Sequence, residues 1–131
     1  MLLMILLSLP CLAPGETSWK PVETGVKARL RGVSALDTGL ILASGTSGTI
    51  LRSNDAGATW TKLEIPEAGR LDFRDIQAID DQTAIVMAAG PGAASRIYKT
   101  TDAGQTWKIN FQQSNPKGFL DAIAFFDPKR G

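Results

Sequence analysis

The chain has 131 residues, 44% hydrophobic and 21% charged, with 14 Lys+Arg against 13 Asp+Glu. That balance suits one folded domain and argues against disorder and against a nucleic-acid-binding surface, which would need a basic run. The absence of His excludes His-based catalytic triads and most zinc sites, and a single Cys cannot close an intramolecular disulfide.

Met1 to Leu9 is almost unbroken apolar sequence, followed by Pro10 and then Ala13-Pro14-Gly15. Residues 1–15 read as a secretory signal cleaved near Gly15, since the run is too short to span a bilayer comfortably. No Lys or Arg stands in its n-region, a departure that a misassigned start codon explains. Cys11 raises a lipoprotein reading, which Ser8-Leu9-Pro10 fits poorly, and an uncleaved anchor or buried strand is the third reading. Export to the periplasm or the extracellular space is the expectation.

Two units of short strands follow. Residues 29–66 carry strands near 29–36, 39–44, 48–53 and 59–65. Residues 71–111 carry strands near 73–79, 83–89, 95–100 and 106–111. Gly, Asp, Ser and Pro punctuate them, and no stretch keeps a helical period. Ser44-Gly45-Thr46-Ser47-Gly48 is a Gly-rich turn. A phosphate cradle would need a Gly-Lys-Ser/Thr continuation into a helix, which does not follow.

The units share an octapeptide. Ser53-Asn54-Asp55-Ala56-Gly57-Ala58-Thr59-Trp60 and Thr100-Thr101-Asp102-Ala103-Gly104-Gln105-Thr106-Trp107 both read Ser/Thr-x-Asp-x-Gly-x-Thr-Trp. Repetition at this period indicates an array of small units. In each copy the Asp carboxylate is suited to accept backbone N–H bonds and lock a turn, and Gly57 and Gly104 are suited to positive φ. Trp60 and Trp107 are expected to be buried, with roughly 3–5 kcal/mol lost on truncation. A catalytic or metal role for Asp55 and Asp102 is the sharper alternative. The turn lock, with Ser53 and Thr100 as its polar partners, is preferred because Asp commonly caps its own turn.

These octapeptides resemble the Asp-box, or BNR repeat, of β-propellers found in sialidases, sortilin-type receptors and some endoglucanases. Leu30-Arg31-Gly32-Val33-Ser34-Ala35 is similar to Phe73-Arg74-Asp75-Ile76-Gln77-Ala78. A third such segment begins at Phe119-Leu120-Asp121 and runs to Phe125-Phe126-Asp127. Taken with the arginine-bearing first strand, these segments most resemble the photosystem II stability/assembly factor-like family. The resemblance implies an all-β fold: antiparallel four-stranded blades of an incomplete propeller within residues 16–131. Residues 29–66 and 71–111 would be blades and 118–131 the start of a third. Residues 17–25, with Ser18-Trp19-Lys20-Pro21-Val22, would be a closing strand. A propeller closes with about 4–8 blades, so a fragment or truncated reading frame is expected. A chain truly this short would have to self-associate to cover its edges.

Arg31 and Arg74 occupy equivalent positions on the first strands, which in propellers line the central channel. Repeated arginines there could receive carboxylates of an acidic peptide, and the resemblance implies partner binding by arginines on one face. Pairing with neighbouring Asp is the plainer reading. Arg52 and Lys99 correspond as well and read as strand charges that discourage edge pairing. Tyr98 reads as a packing residue rather than a nucleophile, and Asp80-Asp81 as turn chemistry. The leading expectation is an exported, non-enzymatic protein-binding platform or assembly factor. It would have a protein partner, placed by resemblance at a membrane surface, and no catalytic residue, metal or cofactor. A sialidase-like or other glycoside hydrolase fragment is the alternative, which requires an acidic pair on blades outside this sequence.

Overall fold

The computed structural model describes residues 20–131; the expected signal, Cys11 and Trp19 lie outside them. Two antiparallel four-stranded sheets follow each other along the chain, each with its strands in sequential order. The first holds β1 (Leu30–Ala35), β2 (Ile41–Gly45), β3 (Thr49–Ser53) and β4 (Thr61–Leu63). The second holds β5 (Asp72–Ala78), β6 (Ala84–Ala89), β7 (Arg96–Thr100) and β8 (Lys108–Gln112), with a 3-10 turn at Gly92–Ala94. Short hairpin connections leave neighbours in sequence as neighbours in space, so a meander is the natural product.

The core lies between the two blades. Cross-strand partners share a face, so the register makes Leu42, Ser44 and Ile50 one face of the first blade. Phe73, Ile76, Val86 and Tyr98 form the facing surface of the second, and all but Tyr98, at 5% exposure, are completely buried. Phe73 meets Tyr98 edge to face, with ring centroids 6.0 Å apart. Polar stitches close the seam. The Ala78 N–H donates to Ser34 Oγ (3.0 Å), Arg52 Nη2 to the Asp81 carbonyl (2.9 Å), and Thr38 Oγ1 to Asp81 Oδ1 (2.7 Å). Arg52 therefore serves the contact between blades, contrary to its reading as an edge-blocking charge. Its strand β3 is flanked on both sides, and the next blade offers it a carbonyl.

Among the described residues, two expected strands are not formed. Residues 20–25 carry no ladder hydrogen bonds, and residues 119–125 are likewise unladdered. An extended segment becomes a strand only when a neighbour supplies the opposite half of its hydrogen bonds. Residues 119–125 instead lie over the second blade, held by Leu120 N–H on Ser95 Oγ (2.9 Å) and Ile123 N–H on Asp75 Oδ2 (3.0 Å). An isolated bridge between Asp127 and Arg130 closes the chain's last turn.

The outward face of the first blade is open. Val33 is 71% exposed, and a shallow cleft of about 310 Å³ is lined by Leu30, Val33, Ala43 and Trp60. In register these correspond to Phe73, Ile76, Val86 and Trp107, most of which the second blade buries against the first.

Candidate functional site

Each Asp-box turn joins the third and fourth strand of its blade. Asp55 Oδ1 accepts from the Thr59 N–H (2.8 Å) and the Ser53 hydroxyl (2.7 Å), and Oδ2 from the Thr59 hydroxyl (2.5 Å). Ser53 Oγ in turn accepts from the Gly57 N–H (2.8 Å). The second turn repeats this with Asp102, Thr106, Thr100 and Gly104 at 2.6–3.0 Å. Gly57 and Gly104 have φ of 91° and 89°. Ala56 and Ala103, one residue earlier, also have positive φ, which the sequence did not suggest. Their N–H groups are bonded at 2.9 Å to carbonyls of the turn between first and second strand, Gly39 and Gln82. That bond holds a residue with a Cβ where glycine is usual.

Both carboxylate oxygens of Asp55 and of Asp102 accept hydrogen bonds from within their own turns, as a turn lock requires. Their pKa values drop to about 2 because the Thr59 and Thr106 hydroxyls, and then the backbone N–H groups of the same residues, favour the ionised form. Asp80 is likewise lowered, by the N–H groups of Gln82 and Thr83. A depressed folded pKa contributes stability that is present above the unfolded value and lost as pH falls through the folded one. Melting temperature is therefore expected to hold down to about pH 4 and to fall steeply toward pH 2. In Asp55→Asn plus Asp102→Asn, the temperature should start lower and change less across that window. Thermal melts from pH 5 to 2 check this, and parallel slopes would remove the boxes as the source.

Trp60 and Trp107 are half-buried rather than buried. The Trp107 ring packs against the core from its edge and donates Nε1–H to the Gly104 carbonyl (3.2 Å). Trp60 sits on the open face of the first blade, and its Nε1 is enclosed with no partner among the described residues. Burial of this ring depends on a neighbouring blade, and among the described residues only the second box has one at its side.

Arg31 and Arg74 are brought together. In both blades the ladder slips at the arginine. Leu30 faces Gly45 and Gly32 faces Ser44, while Phe73 faces Ala88 and Asp75 faces Met87. Each arginine is thus the extra residue of a β-bulge, a device that bends a strand and re-aims a side chain. Strands β1 and β5 run side by side, so the two guanidiniums converge. Arg31 Nε lies 2.8 Å from Asp72 Oδ1, and Arg74 Nε lies 3.5 Å from Asp72 Oδ2. Arg74 also pairs with Asp121 and stacks over the Phe119 ring at 5.3 Å. Its pKa is pushed further up, chiefly by the Asp121 hydrogen bond. Both arginine side chains are about a third exposed, at 31% and 34%.

As partners of the arginines, Asp72, Asp121 and Phe119 escaped the sequence reading. Arg29 stands at the position of Asp72 in the other unit, so the repeat comparison gave no signal there. Tyr98 lies in the core against Phe73 and presents no nucleophile to solvent. Among the described residues, no three His, Cys, Asp or Glu side chains cluster as metal ligands.

Residues 13–124 match the family described as photosynthesis system II assembly factor YCF48. Among solved structures, one described as YCF48 bound to D1 peptide shares the partial β-propeller fold. Its TM-score is 0.61 at 21% identity, over 72% of this chain and 31% of that one. Vacuolar protein sorting/targeting protein 10 of Pyricularia oryzae is 36% identical over 86 residues, which are 63% of this chain and 6% of the relative. Dispase autolysis-inducing protein of Streptomyces mobaraensis is 28% identical over 111 residues, which are 59% of this chain and 30% of the relative. The chain thus spans a small part of the length of the curated relatives it matches.

Proposed function

This chain belongs to the photosynthesis system II assembly factor YCF48 family, and on that premise we propose that it is a non-enzymatic platform for an acidic segment of a partner protein. One observation carries the reading: two equivalent arginines, on equivalent bulges of adjacent inner strands, converge on one carboxylate. Guanidinium groups bind carboxylates through paired, charge-assisted hydrogen bonds, so the pair suits a peptide bearing Asp, Glu or a terminal carboxylate. The peptide-bound state of the solved structure that shares this fold supports a ligand of that size.

Titration of the purified chain with fluorescently labelled hexaglutamate is expected to saturate. Arg31→Glu plus Arg74→Glu should weaken it more than about tenfold, since two charge-assisted contacts become repulsions. Unchanged binding in that double variant would overturn the reading, and so would hydrolysis of a polysaccharide panel by the wild-type chain. The proposal extends to an exported protein, an address that rests on residues 1–15, with a partner at a membrane surface, which rests on the family resemblance. N-terminal sequencing and fractionation test export: a start near Glu16 supports it, and a chain with Met1 intact in the cytoplasmic fraction removes it.

A further inference from the structure

We propose that Asp72 is a built-in competitor for the arginine pair: its carboxylate occupies the position an acidic peptide would take, and the peptide must displace it. This rests on the reading of Arg31 and Arg74 as the peptide site.

The geometry of the cluster supports displacement rather than a permanent clasp. Asp72 Oδ1 is within 2.8 Å of Arg31 Nε, yet it is enclosed and no N–H of the described residues points at it in hydrogen-bond geometry. Arg74 Nε, 3.5 Å from Oδ2, is enclosed and in the same way has no hydrogen-bond acceptor among the described residues. A guanidinium offers five donors in a fixed fork, and a well-placed carboxylate takes two of them at once. Asp72 does not, because it begins strand β5 and its backbone is held in the ladder opposite Ala89. The strand fixes where the carboxylate arrives, and there it is shared between the Nε atoms of two arginines, 2.8 Å from one and 3.5 Å from the other. A peptide carboxylate has no such tether and can turn to meet a fork squarely. Poorly aimed and buried polar atoms are costly to leave unmade, which favours the exchange.

The surroundings fit the same event. Asp121, the other acid on Arg74, is 74% exposed and lies on the unladdered segment 119–125, so it can move aside without breaking a sheet. Phe119, half-exposed under the Arg74 guanidinium, holds that side chain in place through cation–π contact while its acid partner changes.

The test is hexaglutamate affinity of Asp72→Asn beside wild type. Removing the competitor should tighten binding about threefold to thirtyfold, the range set by two partly exposed ion pairs. Asp37→Asn, exposed beyond the far end of β1, removes the same charge away from the arginines and should leave affinity within about twofold. Equal or weaker binding in Asp72→Asn, with folding confirmed by circular dichroism, would make Asp72 a structural clasp and overturn the inference. So would equal tightening in Asp37→Asn, which would reduce the effect to net charge. Loss of binding in the Arg31→Glu, Arg74→Glu chain separates the two questions, because that result upholds the peptide site whatever Asp72 does. A wild-type measurement stands apart from any variant's folding. On peptide addition the Asp72 side-chain carboxyl carbon resonance should shift together with the Arg31 and Arg74 Nε–H signals. Movement of the arginine signals with a still Asp72 would also overturn displacement.

Discussion

Phe73→Ala is expected to unfold a large fraction of the molecules. Phe73 is completely buried in the seam between the blades and stands edge-on to Tyr98 at 6.0 Å. Truncating such a side chain costs about 3–5 kcal/mol through lost transfer energy and the cavity left behind. Domains of this size commonly have only about 5–15 kcal/mol in total, with small ones toward the lower end. The loss is concentrated because the blades do not have separate cores. The buried apolar cluster draws on both sheets, so weakening the seam weakens each blade together, as in repeat arrays held by nearest-neighbour contacts. Urea denaturation followed by far-UV circular dichroism should show a large drop in midpoint. Phe73→Leu, which keeps most of the volume, should cost less than about 1.5 kcal/mol. A midpoint unmoved by the alanine would mean that the blades fold independently.

Gly48→Ala should be strongly destabilising. Gly48 turns the chain between β2 and β3 with φ of 63°, and a Cβ there would lie 2.5 Å from the Ala68 carbonyl oxygen and 2.9 Å from Gly69 Cα. Both obstacles are backbone of the connection between the blades, and the Gly48 N–H is bonded to the Leu71 carbonyl of that connection at 2.8 Å. The hairpin cannot retreat without breaking this bond. Left-handed backbone costs a residue with a side chain about 1–2 kcal/mol, and overpacking adds about 1–3, for a total of about 2–5 kcal/mol. Gly25→Ala separates the two contributions. Gly25 has φ of 73° with nothing within 4 Å of the added Cβ, so only the conformational part applies. Equal costs at the two positions, measured by chemical denaturation, would show that the connection yields and that the close approach is not rigid.

Gly48 also illustrates how far the sequence could be read. Gly-Thr-Ser-Gly announced a turn, because Gly is the residue that tolerates left-handed backbone, but not that the chain 20 residues later would rest on it. The strands themselves were legible to within two residues or so, since alternating apolar and polar positions between turn residues is a local signal. The site was half legible. Equivalence of Arg31 and Arg74 followed from aligning the two units. Their placement on bulges did not, because a bulge is defined by the partner strand's register, which the strand's own residues do not encode. Asp72 was invisible for a related reason. It meets Arg31 across 41 positions of sequence, at a place where the first unit has Arg29.

By itself, then, the amino-acid sequence determined the blades and their box turns. Asp55 and Asp102 accept hydrogen bonds within five residues of themselves, and a contact that local is decided by the chain's own stiffness and hydrogen-bonding groups. The tertiary structure decided which faces of those blades are covered and which charges meet. Trp60 and Trp107 carry the same motif and differ because only one has a neighbouring blade at its side. Residues 119–125 repeat a first-strand pattern and remain unladdered, because backbone hydrogen bonds need a partner strand that no local sequence can supply. The arginine pair exists for the same reason: packing β5 against β1 sets two distant guanidiniums on one carboxylate, and that packing belongs to the seam as a whole.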